Sequence, residues 1–120
     1  MKVSELSGAA LDWAVAKCEG WTRLLMWAND TKSFWYQKED KSGIYRKHPW
    51  ELNYSTDWVL GGPIIAREGI SWHCGNKTSW HAYAYGSSEN ISGPTPLIAA
   101  MRCYVASKLG DAIEIPKELT

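Results

Sequence analysis

The fold is organised around one stretch rich in turn and helix-start residues, Asn53-Tyr54-Ser55-Thr56-Asp57-Trp58-Val59-Leu60-Gly61-Gly62-Pro63-Ile64-Ile65. Ser55, Thr56 and Asp57 carry short side-chain oxygens that can accept hydrogen bonds from backbone N–H groups two or three positions on. The pair Gly61-Gly62 permits backbone conformations closed to other residues, and the following proline fixes φ for a first helical turn. We therefore predict a turn seeded by Asp57, a break at the glycines, and a helix Pro63–Glu68 ended by Gly69.

The start of that predicted helix allows two roles. Its free N–H groups can bind an anion, or Asp57 can satisfy them as a cap, which is the role we favour. The first candidate ligand-binding residues are accordingly Ser55, Thr56, Asp57, Trp58, Gly61 and Gly62. The stretch indicates where a site could lie, but its residues do not indicate a particular reaction.

Length and charge indicate the number of domains and exclude some kinds of binding partner. The chain has 120 residues, 45% of them hydrophobic, which is the size of one domain with its own core, and we assign residues 1–120 to it. Its 13 basic and 13 acidic residues balance, so no overall field favours double-stranded nucleic acid or an anionic membrane. No apolar run approaches the ~20 residues of a membrane span, and the first residues lack a signal-peptide pattern.

The cysteines and aromatic residues carry further expectations. Cys18, Cys74 and Cys103 are widely spaced within apolar patterns, so we predict free thiols in the core of a cytoplasmic protein. Eight tryptophans and six tyrosines are unusually many for this length. Such side chains suit half-buried sites, so at least two tryptophans could line a ligand or partner surface, or they could simply enlarge the core.

Periodicity and turn residues predict an α+β fold. Its N-terminal helix is entered through Ser4 or Ser7 and stopped by Gly20, with an apolar face formed by Leu11, Ala14, Val15 and Cys18. The predicted strands are Trp21–Trp27, Ser33–Lys38 and Ile44–Lys47, with turns at Asn29–Lys32 and Lys38–Gly43, a loop over Gly86–Gly93 and a last edge strand at Ala112–Ile115. Together with the short central helix, these elements predict helices packed on a small antiparallel sheet.

The long C-terminal helix has the clearest start signal in the chain. Thr95 is placed to cap it, with Pro96 at its first position, and it runs to Leu109. Leu97, Met101 and Tyr104 follow one line along this helix. We expect that line to pack on the apolar face of the hairpin over residues 70–86.

The register of that hairpin follows from which face can be buried. A two-residue loop at Asn76-Lys77 would pair Trp72 with His81 and mix the faces. A three-residue loop starting at Gly75 pairs Trp72 with Trp80, and it is our prediction. It places the apolar set Ile70, Trp72, Cys74, Trp80, Ala82 and Ala84 on one side and Ser71, His73, Ser79, His81, Tyr83 and Tyr85 on the other.

No arrangement of residues indicates an enzyme. In the predicted register His73 and His81 share a face while Cys74 points away, so only two of the four ligands of a structural zinc site converge and we predict no metal. No nucleophile elbow, phosphate-binding loop or dinucleotide motif is present, so we predict no catalytic residue and no cofactor.

What remains is a recognition surface. His73, His81, Tyr83 and Tyr85 can form a polar aromatic strip, to which Arg102 could add a fixed charge. Aromatic faces stack with bases and a guanidinium binds phosphate. The alternative is an ordinary sheet face, either solvated or covered by a helix.

Three motifs resemble the bacteriophage NinX family. They are Met1–Leu6 with Leu11–Lys17, Tyr54–Trp58 with Gly61–Ile65, and Gly93–Arg102, which cover both ends and the middle of the chain. The middle and last motifs also look like those of small phage α-β-α sandwich domains. That likeness implies helices on both sides of the sheet, which would lessen the exposure of His73 and His81.

The resemblance implies an accessory protein of a temperate tailed phage acting in the host cytoplasm, and it implies no catalytic residue. Small phage accessory proteins often counter host defences, so we expect a non-enzymatic protein that binds a small anionic, nucleotide-like ligand. The alternative is a module that binds and blocks or recruits a host protein, and a nucleotide hydrolase is third. A homo-oligomer is left open.

Overall fold

The computed structural model describes residues 1–28, 31–84, 90–116 and 119. It describes the side chains of these residues except those within the range 24–34. The elements are α1 (Gly8–Cys18), β1 (Thr22–Ala28), β2 (Thr31–Asp40), β3 (Gly43–Lys47), α2 (Trp58–Glu68), β4 (Ser71–Asn76), β5 (Ser79–Tyr83), β6 (Ile91–Gly93) and α3 (Pro96–Leu109). Short 3₁₀ turns at Val3–Glu5 and Pro49–Glu51 complete the order. The fold is α+β with N-terminal, central and C-terminal helices, as predicted.

The outer helices follow their sequence signals. Ser7 precedes α1 in extended conformation, and Gly20 lies just beyond its end with φ of 93°. The hydroxyl of Thr95 accepts the N–H of Ile98 at 3.1 Å at the start of α3. Local signals decided both helices, because capping involves only residues within one turn of the helix end.

The central helix α2 differs from its prediction. It begins at Trp58 rather than Pro63 and runs through the glycines without a break. Asp57 caps it, because Asp57 Oδ1 accepts the N–H of Val59 at 2.9 Å. The missing N–H of Pro63 is tolerated because both it and Val59, the residue four positions earlier, are exposed, so water can reach the orphaned carbonyl. Gly69 ends the helix in the left-handed conformation, as predicted.

The strands form two three-stranded antiparallel sheets, β1-β2-β3 and β4-β5-β6, rather than one small sheet. Several predicted boundaries were wrong. Strand β2 runs on to Asp40, so the turn predicted from Lys38 is confined to Lys41-Ser42, where the N–H of Ser42 donates to Asp40 Oδ1 at 2.8 Å. Strand β6 forms inside the predicted loop, and the predicted last strand is a single bridge between Lys2 and Ala112.

The β4-β5 hairpin keeps the predicted faces but not the predicted register. Trp72 pairs with Ala82, and His73 with His81, instead of Trp72 with Trp80. The reason is a bulge between Cys74 and Asn76, which adds a residue to β4 before the turn. Because the register moved by two positions, the described residues of β4 and β5 that the prediction assigned to a face stay on that face.

Helix α3 lies at the centre of the molecule. It contacts all three strands of the second sheet and both other α-helices. Its buried side chains include Leu97, Met101 and Tyr104, the predicted line. The core also contains Ala82 of the predicted apolar hairpin face, whereas Trp72 on the same face is exposed.

The three cysteines are free. Cys103 is buried and Cys18 half-buried, which agrees with the predicted core positions. Cys74 is exposed, so its prediction as a core residue was wrong. Strand β4 is the outer strand of its sheet, and an apolar pattern alone does not distinguish an outer strand from a central one.

Candidate binding surfaces

The candidate ligand-binding residues lie in separate regions of the structure. Ser55 anchors its loop to α1, because its buried N–H donates to Asp12 Oδ1 at 2.8 Å. Burial raises the pKa of Asp12, and the hydrogen bonds from Ser55 oppose that rise. Ser55 therefore holds the chain before α2 in place, while the side chain of Thr56 is exposed.

One of the two glycines of α2 has a packing role. A Cβ at Gly61 would lie 2.5 Å from Leu97 Cδ1 and 2.9 Å from the carbonyl oxygen of Tyr54. Glycine therefore lets α2 approach α3 and the Tyr54 turn closely. A Cβ at Gly62 would meet no atom within 4 Å. Neither glycine lies at a helix start with free N–H groups, which is where the predicted anion site was placed.

The polar aromatic strip is assembled as predicted for its described members. The rings of His73 and His81 stack with centroids 5.2 Å apart, and Nδ1 of His73 lies 2.8 Å from the hydroxyl of Tyr83. Tyr85 lies outside the described residues. Gly75 makes room for this strip, because a Cβ there would lie 2.7 Å from Nε2 of His81.

Arg102 is engaged within the fold rather than with that strip. Its Nε donates to the carbonyl of Leu6 at 2.7 Å and its Nη1 to the carbonyl of Ser92 at 2.9 Å. Burial lowers its pKa. The guanidinium ties the N-terminal 3₁₀ turn to β6, which is a structural use of the charge.

An exposed aromatic surface lies where α2 begins. The capped start of α2 places Trp58 against Trp72 of β4, with ring centroids 5.7 Å apart and planes at 50°. Both rings stay open to solvent, at 47% and 40% exposed, and the neighbouring Val59 is 81% exposed. We call these three residues the Trp58–Trp72 surface. The sequence identified Trp58, but it placed Trp72 in the core; the abundance of tryptophan was the one signal of such a surface.

The same surface borders an open strand edge. Strand β4 is the outer strand of the β4-β5-β6 sheet, and all six of its residues are exposed. Of the described strands, β5 alone pairs with it. The bulge near Gly75 interrupts its regular edge, which leaves the segment Ser71–Cys74 available for pairing.

A group of charged residues joins the three helices. Arg67 of α2 binds Glu19 in bidentate fashion, with distances of 3.1 Å and 2.7 Å, and the hydroxyl of Tyr104 donates to Glu19 Oε2 at 2.6 Å. Burial raises the pKa of Glu19, but the hydrogen bonds from Arg67 and Tyr104 outweigh it and hold that pKa below its usual value. The partners come from α2, α3 and the end of α1, so this network joins the three helices.

The described residues contain no group of three or more His, Cys, Asp or Glu side chains placed to hold a metal ion. None of the described helices has the length and apolar character needed to cross a membrane.

Comparison with known proteins identifies the family. No curated protein matches the chain. The family model described as Bacteriophage P22, NinX matches residues 2–108. That range includes nearly all the residues that resemble NinX at the two ends and in the middle of the sequence. The chain therefore belongs to the NinX family of bacteriophage proteins.

Proposed function

We propose that this NinX family protein is a protein-interaction module that binds a protein of the host cell through the Trp58–Trp72 surface. The observation that carries the proposal is the contiguous exposure of Trp58, Val59 and Trp72. Burying apolar surface contributes about 25 cal/mol of favourable free energy per Å² buried. Tryptophan is enriched among the residues that contribute most to the free energy of binding. Two adjacent tryptophans left in solvent fit a surface that a partner covers.

The open edge of β4 defines the form of the partner. An extended segment can add to an outer strand through main-chain hydrogen bonds, while alternate side chains give specificity. A side chain directly opposite Trp72 on such a segment would lie about 5 Å away. We therefore propose a partner that presents an extended segment with an apolar residue at that position. Blocking or recruiting a host factor in this way would serve counter-defence in the host cytoplasm.

A nucleotide-like ligand at the Ser55–Pro63 stretch is less well supported by the geometry. The N–H of Val59 is already taken by Asp57, and the two glycines lie inside α2. Thermal-shift measurements with nucleotides test this alternative, and chromatography of the products tests a nucleotide hydrolase. A ligand that stabilises the parent but not a folded Asp57 or Gly62 variant would favour it over the protein partner.

The test of the proposed function compares three proteins in a quantitative pull-down from nuclease-treated host extract. They are the parent, the double variant Trp58→Ala/Trp72→Ala, and the control Tyr45→Ala, which removes a ring 44% exposed on the other sheet. We expect a host protein retained by the parent and the control and lost from the double variant. A peptide from its contact segment should then shift the amide resonances of Ser71–Cys74.

Two outcomes would contradict the proposal. One is equal retention of every captured protein by the parent and the double variant. The other is binding of the partner peptide without any change in the amide resonances of β4. Because the substituted rings are exposed, both variants are expected to fold, which circular dichroism and melting temperatures check.

A further inference from the structure

The first sheet carries a second aromatic cluster, separate from the Trp58–Trp72 surface. Three rings follow one another in contact, from Trp35 on β2 through His48 to Trp50 in the 3₁₀ turn Pro49–Glu51. The centroids of Trp35 and His48 lie 3.8 Å apart with planes tilted by 39°, and His48 stacks on Trp50 with centroids 4.0 Å apart and planes 9° from parallel. Trp50 is 70% exposed, so the face of its ring turned away from His48 is open.

The stack is held by the backbone on both sides of His48. The N–H of His48 donates to Glu51 Oε2 at 2.7 Å, and the N–H of Glu51 donates to the carbonyl of His48 at 3.0 Å. Pro49, between them, has a fixed φ. The exposed ring of Trp50 is therefore presented in a preset orientation, which reduces the entropy lost when a flat ligand binds.

A positive charge lies on the same face of the sheet. Arg46 pairs with Gln37, which follows Trp35 by two positions on β2, and alternate residues of a strand share a face. Its Nε donates to Oε1 of Gln37, the residue paired with it on β2, at 3.1 Å. This hydrogen bond ties the guanidinium to β2, two positions along that strand from Trp35. The neighbouring Tyr45 and Lys47 belong to the opposite face.

We propose that this cluster binds a nucleobase, stacked on the open face of Trp50, with the adjoining phosphate at Arg46. Stacking on an aromatic side chain is tolerant of base identity, and guanidinium binds phosphate. Glu39, paired with Ile44 farther along the same face, limits the positive surface to one phosphate. The ligand is therefore a free nucleotide or one unit of a single strand; the bases of a duplex are already stacked on each other.

This inference is independent of the proposed protein-binding function, because it uses another sheet and other residues. It agrees with the predicted class of ligand, a nucleotide, but moves the site from the Ser55–Pro63 stretch to Trp50. Apart from the number of tryptophans, no sequence pattern indicates this site, because the contact between a ring of β2 and rings of the 3₁₀ turn depends on the pairing of β2 with β3.

The test titrates the full chain with adenosine monophosphate, with adenosine and with a short oligothymidylate, monitoring tryptophan fluorescence and amide resonances. Trp50→Ala should weaken binding about tenfold or more, whereas Trp50→Phe should retain most of it. Arg46→Gln should reduce the preference for the monophosphate over the nucleoside. With the oligonucleotide it should also reduce the slope of log K against log salt by about 0.7.

Tyr45→Ala is the matched control, because it removes an aromatic ring from the opposite face of β3 and should leave affinity unchanged. Oligonucleotide affinity well above that of the monophosphate would identify a single strand as the source of the base, and equal affinity would identify a free nucleotide. The inference is overturned if no ligand perturbs Trp50 or its neighbours at about 1 mM. It is equally overturned if Trp50→Ala, shown to be folded, binds like the parent.

Discussion

The hydroxyl of Tyr104 on α3 donates to Glu19 Oε2 at the end of α1 across 2.6 Å. The same hydroxyl accepts a hydrogen bond from Arg67 Nη2 of α2 at 3.2 Å. One buried phenol thus meets the charged groups of both other helices. Burial and the adjacent Glu19 raise the pKa of Tyr104, so the phenol remains the donor at neutral pH.

Replacing that phenol should weaken the junction of the three helices. Tyr104→Phe keeps the packing and removes the hydroxyl's hydrogen bonds to Glu19 and Arg67, so the free energy of unfolding should fall by at least about 1.5–3 kcal/mol. Urea denaturation measures the change. Glu68→Gln is the control, because it disturbs the more exposed pairs with Arg67 and Lys108 and should cost about 0–1 kcal/mol. Equal losses in both variants would contradict a special role for Tyr104.

Asp12 offers a prediction that depends on pH. Because burial raises its pKa in the folded protein, its charge opposes folding increasingly as pH rises above the unfolded value near 4. Asp12→Asn keeps an acceptor for the N–H of Ser55 and removes the charge. We expect this variant to gain stability relative to the parent as pH rises from the unfolded pKa of about 4 to the raised pKa of the folded protein, and to keep that gain at higher pH.

Asp12→Ala separates the charge from the hydrogen bond. It leaves the buried N–H of Ser55 without its acceptor and should cost about 1–3 kcal/mol at neutral pH. Urea denaturation of both variants at several pH values provides the measurement. An Asn variant that becomes relatively less stable as pH rises would show that the Asp12 charge favours the fold.

The buried tyrosines predict a loss of stability in alkali. Burial raises the pKa of Tyr36 and of Tyr54 to about 12, whereas tyrosine in an unfolded chain ionises near 10. The unfolded state therefore loses protons first, and the free energy of unfolding should fall as pH rises from about 10 to about 12. Tyr54→Phe should reduce this fall, which urea denaturation at about pH 9 and pH 11 can measure. An unchanged pH dependence would contradict the prediction.

The parts of the fold that the sequence predicts are those decided within a few residues. The capped start of α3, the glycine after α1 and the glycine that ends α2 all act within one helical turn. The faces of the β4-β5 hairpin were also predicted, because side chains alternate along a strand and a register shift of two residues leaves each of them on the same face. The family resemblance, carried by short motifs, was confirmed over nearly the whole chain.

The parts that it does not predict depend on residues far apart in the chain. In the sequence, the two glycines of α2 look like a break in the helix. The contact that explains Gly61 is with Leu97 of another helix, so the local sequence does not show it. Glycine is needed at the bulge position 75 because the ring of His81 on the next strand occupies the space of a Cβ. The exposed pair of Trp58 and Trp72 likewise joins a helix start to a strand edge, so no local pattern distinguishes it from core tryptophans.

Asp57 separates a capping role from a binding role. Asp57→Ala removes the acceptor for the N–H of Val59 and should cost about 1 kcal/mol, whereas Asp57→Asn should cost little because asparagine caps about as well. Thermal melts give the comparison. If the start of α2 also binds an anion, the Asn variant should bind an anionic ligand more tightly at equal stability, since a negative charge is lost. Unchanged binding would leave Asp57 as a cap alone.

The adjacent glycines of α2 provide the sharpest test of helix packing. Gly62→Ala adds a methyl group into open space within a helix, where alanine is favoured over glycine, so it should raise the free energy of unfolding by about 0.5–1 kcal/mol. Gly61→Ala gains the same helix propensity. Its methyl group, however, would overlap Leu97 and the carbonyl oxygen of Tyr54, which belongs to the backbone and cannot rotate away.

The steric overlap of the methyl group at residue 61 should outweigh the gain in helix propensity. Overpacking of this kind costs about 1–3 kcal/mol, so Gly61→Ala should be less stable than the parent while its neighbour is more stable. Leu97→Ala in the Gly61→Ala background removes the nearer of the two clashes. If Leu97 is the principal obstacle, the two substitutions together should cost less than the sum of their separate effects. Additive losses would instead identify the backbone of Tyr54 as the obstacle, and a stabilising Gly61→Ala would refute the close contact between α2 and α3.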